Sequence, residues 1–136
     1  MAVETVRDGM VPEPTTLAAS ANAQEAGRCF ADNGEVRAIF VTEDGGRLLG
    51  VVTRKTLVRE VVAAGRDPQG VVLGAIAEPP NFTLDAGLDL EAAFHFLEER
   101  DLERVPVVEA DGRLVGVLSR AVVQRRLAED EPPVVL

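Results

Sequence analysis

The chain has one cysteine and one histidine in 136 residues, and its 14 basic residues are outnumbered by 23 acidic ones. The lone Cys29 excludes an intramolecular disulfide. Its alanine-rich helical surroundings mark it as a small apolar residue turned inward. The lone His95 lies between Phe94 and Phe96, with only Glu98 and Glu99 at helical spacing, which points to a surface or interface residue and no metal site. A net charge of −9 argues against general binding of nucleic acid or anionic membranes. No stretch approaches the roughly 18 apolar residues of a membrane-spanning helix. No basic segment leads into an apolar run as in a secretory leader, so a cytoplasmic protein is expected. There is no Ser-His-Asp set, Cys-His pair, paired histidines or glycine-rich phosphate loop at useful spacing. No catalytic residue is expected, and no enzyme.

What is present is concentrated in residues 102–127. Val105, Val107 and Val108 form a short β-branched run, and Asp111-Gly112 is a hairpin turn dipeptide. Leu114, Val115, Val117 and Leu118 form the partner strand, and Gly116 inside it signals a bulge or a close approach by another backbone or a ligand. Ser119 stands at a helix N-cap position before the apolar spacing Val122, Val123, Leu127. The same pattern occurs earlier, at an offset of 66 residues from Gly50 to Gly116. On that offset Arg47-Leu48-Leu49-Gly50-Val51-Val52-Thr53-Arg54 lies over Arg113-Leu114-Val115-Gly116-Val117-Leu118-Ser119-Arg120. Glu25-Ala26 meets Glu91-Ala92, and Phe30 meets Phe96. Two copies of one supersecondary unit fill nearly the whole chain. Each copy of about 60 residues would be marginal alone, which favours their packing together.

Val-Pro-Val-Val followed by Asp-Gly-Arg-Leu-Val-Gly-Val-Leu-Ser resembles the second half of a CBS domain. The duplicated arrangement resembles a CBS-domain tandem, or Bateman module, over roughly Thr5 to Ala128. The resemblance implies an α/β fold of two βαββα repeats related by a pseudo-twofold, with small sheets packed together. The expected boundaries are repeat 1 over 5–65, a linker over 66–70, repeat 2 over 71–128 and an acidic tail over 129–136. Within them the pattern predicts helices over 22–32 and 88–100, strands over 36–42 and 48–52, and short strands at 16–17 and 81–84. Asn22 or Ser20 is a candidate helix cap, and Thr53 caps the helix after the second strand.

Thr53-Arg54 and Ser119-Arg120 each sit where a strand ends and a helix begins. There a hydroxyl, the first free N–H groups and a guanidinium fork can meet an anion. The simpler alternative is an N-cap beside a solvated arginine. In CBS tandems this position contacts the phosphate of an adenosine ligand, with an aspartate three residues later holding the ribose. Here those later positions are Thr56 and Val122, and the first copy has Phe40 where the second has Pro106. A charged acceptor's hydrogen bond is worth about 1.5–3 kcal/mol, so weak binding is expected. Arg37, Lys55 and Arg104 add positive charge, and Arg104 directly precedes Val105, where the family's ligand runs along the strand edge. With Val11 in the extended, proline-bearing lead-in, the candidate set is Val11, Thr53, Arg54, Thr56, Arg104, Val105, Ser119 and Arg120.

The implied function is a regulatory module taking AMP, ADP, ATP or S-adenosylmethionine in a cleft between repeats, with no cofactor required. The alternative is a ligand-free dimerisation or protein-interaction module. An unidentified regulated protein is an implied partner. CBS tandems commonly pair as homodimers through their helices. On the helix over 88–100, Leu90, Ala93, Phe94 and Leu97 form one stripe while Ala92 and Phe96 face elsewhere. That second face suits either a second copy or burial within the tandem.

Overall fold

The computed structural model describes residues 4–12 and 14–129. The fold is mixed α/β with two small sheets. The elements are α1 (Val6–Gly9), β1 (Val11–Pro12), β2 (Thr16–Ala18), α2 (Ala23–Asp32), β3 (Ile39–Glu43), β4 (Arg47–Val52) and α3 (Arg54–Leu57). They continue with α4 (Leu73–Ile76), β5 (Leu84–Asp85), α5 (Leu90–Glu99), β6 (Arg104–Val108), β7 (Leu114–Ser119) and α6 (Arg120–Glu129). Thus βαββα occurs twice, and α2/α5, β3/β6 and β4/β7 match within one residue of the 66-residue offset. Apart from Glu129, which ends α6, the acidic tail lies outside the described residues, as does Glu13 of the lead-in.

Two compact units divide the chain, and they are not simply its first and second halves. One unit, residues 14–81 with 112–114, is built on the three-stranded sheet β2-β3-β4. Strand β2 runs parallel to β3, pairing Leu17 with Val41, and β3 runs antiparallel to β4 with a bulge between Val41 and Thr42. The β3–β4 turn places Gly45 and Gly46 at φ 75° and 85°, backbone that glycine adopts without strain. Helix α2 opens with a reciprocal cap in which the Asn22 side chain accepts from Glu25 N–H and the Glu25 carboxylate accepts from Asn22 N–H. Its inward face carries Ala23, Ala26 and Phe30 onto Ile39, Val41 and Val52. Leu73 and Ile76 of α4 close the same core. After α4 the chain forms an antiparallel bridge, Val51 N–H to Glu78 O at 2.8 Å and Glu78 N–H to Val51 O at 2.9 Å. Gly50 makes this approach possible, because a Cβ there would lie 2.7 Å from the Glu78 carbonyl oxygen.

The other unit comprises residues 1–13, 82–111 and 115–136, and its described part is built on the four-stranded sheet β1-β7-β6-β5. Strand β1 pairs antiparallel with β7, Val11 opposite Val117 and Pro12 opposite Gly116. The glycine is again required, since a Cβ at Gly116 would lie 2.6 Å from Met10 Sδ and 2.9 Å from Val11 O. Helix α5 is capped by Asp89, whose carboxylate accepts from Ala92 N–H, and it buries Leu90, Ala93 and Leu97. Those residues meet Val105, Val107, Leu118 and Val123, while Val6 of α1 fills the same core. The N-terminal segment therefore completes the core of the second copy, and α4, at the start of the second copy, completes the core of the first.

Several expected boundaries shift. The strand expected over 36–42 begins only at Ile39, because Val36 is still turning: its N–H donates to Asn33 O and its carbonyl accepts from Arg54. The short strand expected at 81–84 forms at Leu84–Asp85, parallel to β6. The helix begun at Thr53 widens after one α-turn into a π-helical stretch, Val58–Val62. Cys29 is half-buried against the first core, not fully enclosed. Of the second face on α5, Ala92 is exposed, whereas Phe96 meets Phe82 edge-on at 5.5 Å with the Arg100 guanidinium 4.1 Å from its ring centroid.

Candidate functional site

In the first unit, β4 delivers Thr53, Arg54 and Thr56 to one strand end. Thr53 caps α3: its Oγ1 accepts from Thr56 N–H at 3.3 Å, and its own N–H donates to Thr56 Oγ1 at 3.0 Å. Thr56 is fully buried, and its hydroxyl lies 3.1 Å from Thr53 Oγ1 and 3.4 Å from Glu78 Oε2. The Thr56 hydroxyl is therefore not presented to solvent at all. The Arg54 guanidinium folds back over the Phe30 ring, 4.7 Å from its centroid, and donates to the carbonyls of Val36 (2.7 Å), Phe30 (3.2 Å) and Gly34 (3.5 Å). It fastens the end of α2 to the loop leading into β3 and keeps its positive charge, since carbonyls do not neutralise it.

Sequence reasoning missed two residues here, Glu78 and Arg59. The Glu78 carboxylate accepts from both Arg59 and Thr56 and stays about half exposed, at 47%. The Arg59 hydrogen bond, opposed by slight desolvation, holds its pKa below the ordinary carboxylate value, with Lys55 adding a smaller pull in the same direction. No spacing rule links Glu78 to Thr53. The bridge to Val51 brings it there, and its only trace in the sequence was the glycine at position 50.

In the second unit, Ser119 ends β7 in a nearly buried position, and Arg120 opens α6. Arg120 donates to Asp101 Oδ1 at 3.0 Å and to the Glu103 carboxylate, while its N–H donates to Glu103 O at 2.9 Å. The Asp101 hydrogen bond leads the causes that raise its pKa. Arg120 holds the same loop that Arg54 holds in the first copy, but against carboxylates instead of carbonyls. Arg104 opens β6 and is exposed, whereas the Val105 side chain is buried in the core. Val11 is exposed and sits opposite Val117 on β7. Val122 is half-buried on α6. His95 is exposed, its ring 3.5 Å from the Glu98 carboxylate and 4.0 Å from that of Glu91. Among the described residues no group of three or more His, Cys, Asp or Glu side chains is gathered to hold a metal. No helix among them is long and apolar enough to cross a membrane.

Two βαββα copies, each ending in a strand-to-helix junction marked by a hydroxyl and an arginine, define an internally duplicated α/β module. The chain belongs to the CBS domain family, whose model matches residues 3–63 and 73–129. Hypoxic response protein 1 of Mycobacterium tuberculosis is 32% identical over 95 residues, covering 70% of this chain and 66% of that protein. The chain thus spans just under two thirds of that curated relative. A crystal structure of Hypoxic Response Protein I with two coordinated zinc ions matches with a TM-score of 0.75 at 28% identity, covering 90% of this chain and 98% of that one. CBSX2 in complex with AMP matches with a TM-score of 0.72 at 28% identity, over 92% of this chain and 96% of that one. The inosine-5'-monophosphate dehydrogenase of Mycobacterium leprae is 29% identical over 120 residues, which cover 86% of this chain but only 22% of the enzyme.

Proposed function

We propose that this chain is a regulatory CBS-pair module that binds an adenine nucleotide weakly and catalyses no reaction of its own. The observation that carries the reading is the matched pair of strand-end hydroxyls, Thr53 after β4 and Ser119 after β7, each followed by an arginine. The AMP complex of CBSX2, a relative similar over nearly its whole length, supports the ligand class. Affinity in the tens of micromolar, about 6 kcal/mol, suits a site lacking the usual aspartates at positions 56 and 122. A thermal-shift screen with AMP, ADP, ATP, S-adenosylmethionine and NADH tests it. A ligand at 100 times its Kd adds about 2.7 kcal/mol of stability. If none of the five raises the melting temperature at millimolar concentration, the reading fails.

A second reading, a module that acts only through protein contacts, is favoured by the complete burial of Thr56 and by the inward commitment of Arg54 and Arg120. In either case two copies pair through α5, where Ala92 is exposed and Phe94 and Phe96 are half-buried.

A further inference from the structure

We infer that the chain holds one nucleotide, in the unit of the first copy, and that the Glu78 carboxylate reads the ribose hydroxyls there. The inference rests on the nucleotide-binding reading above and says which copy binds and how. A ribose presents two neighbouring hydroxyl donors. Thr56, wholly buried and hydrogen-bonded inward, can accept from neither. An ionised carboxylate accepts only, with two oxygens and about four lone-pair sites. Arg59 takes one site on Oε1 and Thr56 one on Oε2, which leaves an acceptor site on each oxygen of a half-exposed group. The two bonds also fix its direction, so little rotamer freedom is lost on binding. Because Arg59 holds the pKa of Glu78 down, it stays ionised at neutral pH.

The second copy lacks each of these features. Val11 pairs with Val117 as Glu78 pairs with Val51, so Val11 stands where Glu78 stands, and Val122 stands where Thr56 stands. Arg120 is already paired with Asp101 and Glu103, so an arriving phosphate would meet two carboxylates. Arg54 rests on carbonyls, no carboxylate among the described residues pairs with it, and Lys55 is a near neighbour in sequence. The two carboxylates on Arg120 repel an anion at that junction, whereas Glu78 at the first junction is itself paired with Arg59 and not with Arg54.

Calorimetry on the full chain with AMP, 2′-deoxy-AMP and 3′-deoxy-AMP provides the test. The expected result is one AMP per chain and a preference for AMP over either deoxy form of about tenfold or more, the worth of a hydrogen bond to a charged acceptor. Glu78→Gln should weaken AMP by more than about tenfold and each deoxy form, which keeps one ribose hydroxyl, by less, so that the preference shrinks to about threefold or below. Glu78→Asp should keep part of it. Loss of a merely structural ion pair would weaken all three ligands alike. Two AMP molecules per chain, or a preference undiminished in Glu78→Gln, overturns the inference and leaves the nucleotide reading standing. Failure of the unmodified chain to bind AMP overturns the inference, and failure to bind any of AMP, ADP, ATP, S-adenosylmethionine or NADH overturns both.

Discussion

Replacing Gly50 by alanine adds one methyl group at the most crowded point of the first unit. The new Cβ would lie 2.7 Å from the Glu78 carbonyl oxygen and 2.9 Å from Ala77 Cβ. Neither neighbour is the loose end of a flexible side chain. The segment after α4 must therefore move off β4, stretching the two hydrogen bonds that join Val51 and Glu78 at 2.8 and 2.9 Å. Overpacking of this kind costs about 1–3 kcal/mol, and each bond is worth about 0.5–1.5 kcal/mol. The chain relieves the clash by weakening the bonds, so the two costs overlap at about 2–3 kcal/mol in all. The backbone at Gly50 is one that alanine can adopt, and reduced freedom of the unfolded chain returns about 0.4–1 kcal/mol. A net loss near 2 kcal/mol lowers the melting temperature by roughly 6–10 °C at this size. Gly27→Ala is the control: it lies within α2 with nothing within 4 Å of its Cβ position. That substitution should stabilise by about 0.5–1 kcal/mol. Paired thermal and urea melts measure both. A Gly50→Ala chain that melts at or above the unmodified temperature would refute the close-approach argument, and with it the delivery of Glu78.

Leu73 is fully buried in the first core although it lies at the start of the second copy, so Leu73→Ala should cost about 2–5 kcal/mol in a urea titration. Glu78 has its folded pKa depressed by Arg59, so its contribution to stability is present above the ordinary carboxylate range and is lost as pH falls through and below it. The gap in urea midpoint between the unmodified chain and Glu78→Gln should accordingly close in acid; a constant gap would count against the ion pair. Phe96→Glu should convert a dimer to a monomer in light scattering at micromolar concentration. A chain already monomeric, and unaltered by the change, would argue against pairing through α5.

The duplication was legible because it is written in local chemistry. The turn glycines, the Asn22 cap with Glu25, the apolar faces of α2 and α5 and the strand-end hydroxyls all act within a few residues of themselves. Of the bulge or close approach that Gly116 signalled, the structure contains the close approach, and Gly50, its match on the offset, makes another. What covers them could not be read, because Glu78 and Met10 arrive from distant parts of the chain. The limits of β3 were missed for a related reason. Val36 has a strand-forming side chain, but its carbonyl is taken by an arginine 18 residues later. Likewise Arg54 and Arg120 read as free cations in sequence, where nothing shows that each turns back onto its own loop.

The crossed lead-in segments also bear on the order in which the protein can assemble as it is made. Residues 4–12 are made before both copies, yet their place lies against β7, α5 and α6, and Glu4 finds its partner Arg126 across a separation of 122 residues. The first copy, by contrast, can close its core once α4 and Glu78 have followed it out. Residues 4–12 must wait for the second copy, and contacts of such long separation form slowly. A nascent chain in which Asn81 has cleared the exit tunnel should therefore be able to bring the core of the first copy together while the leading segment is still unplaced.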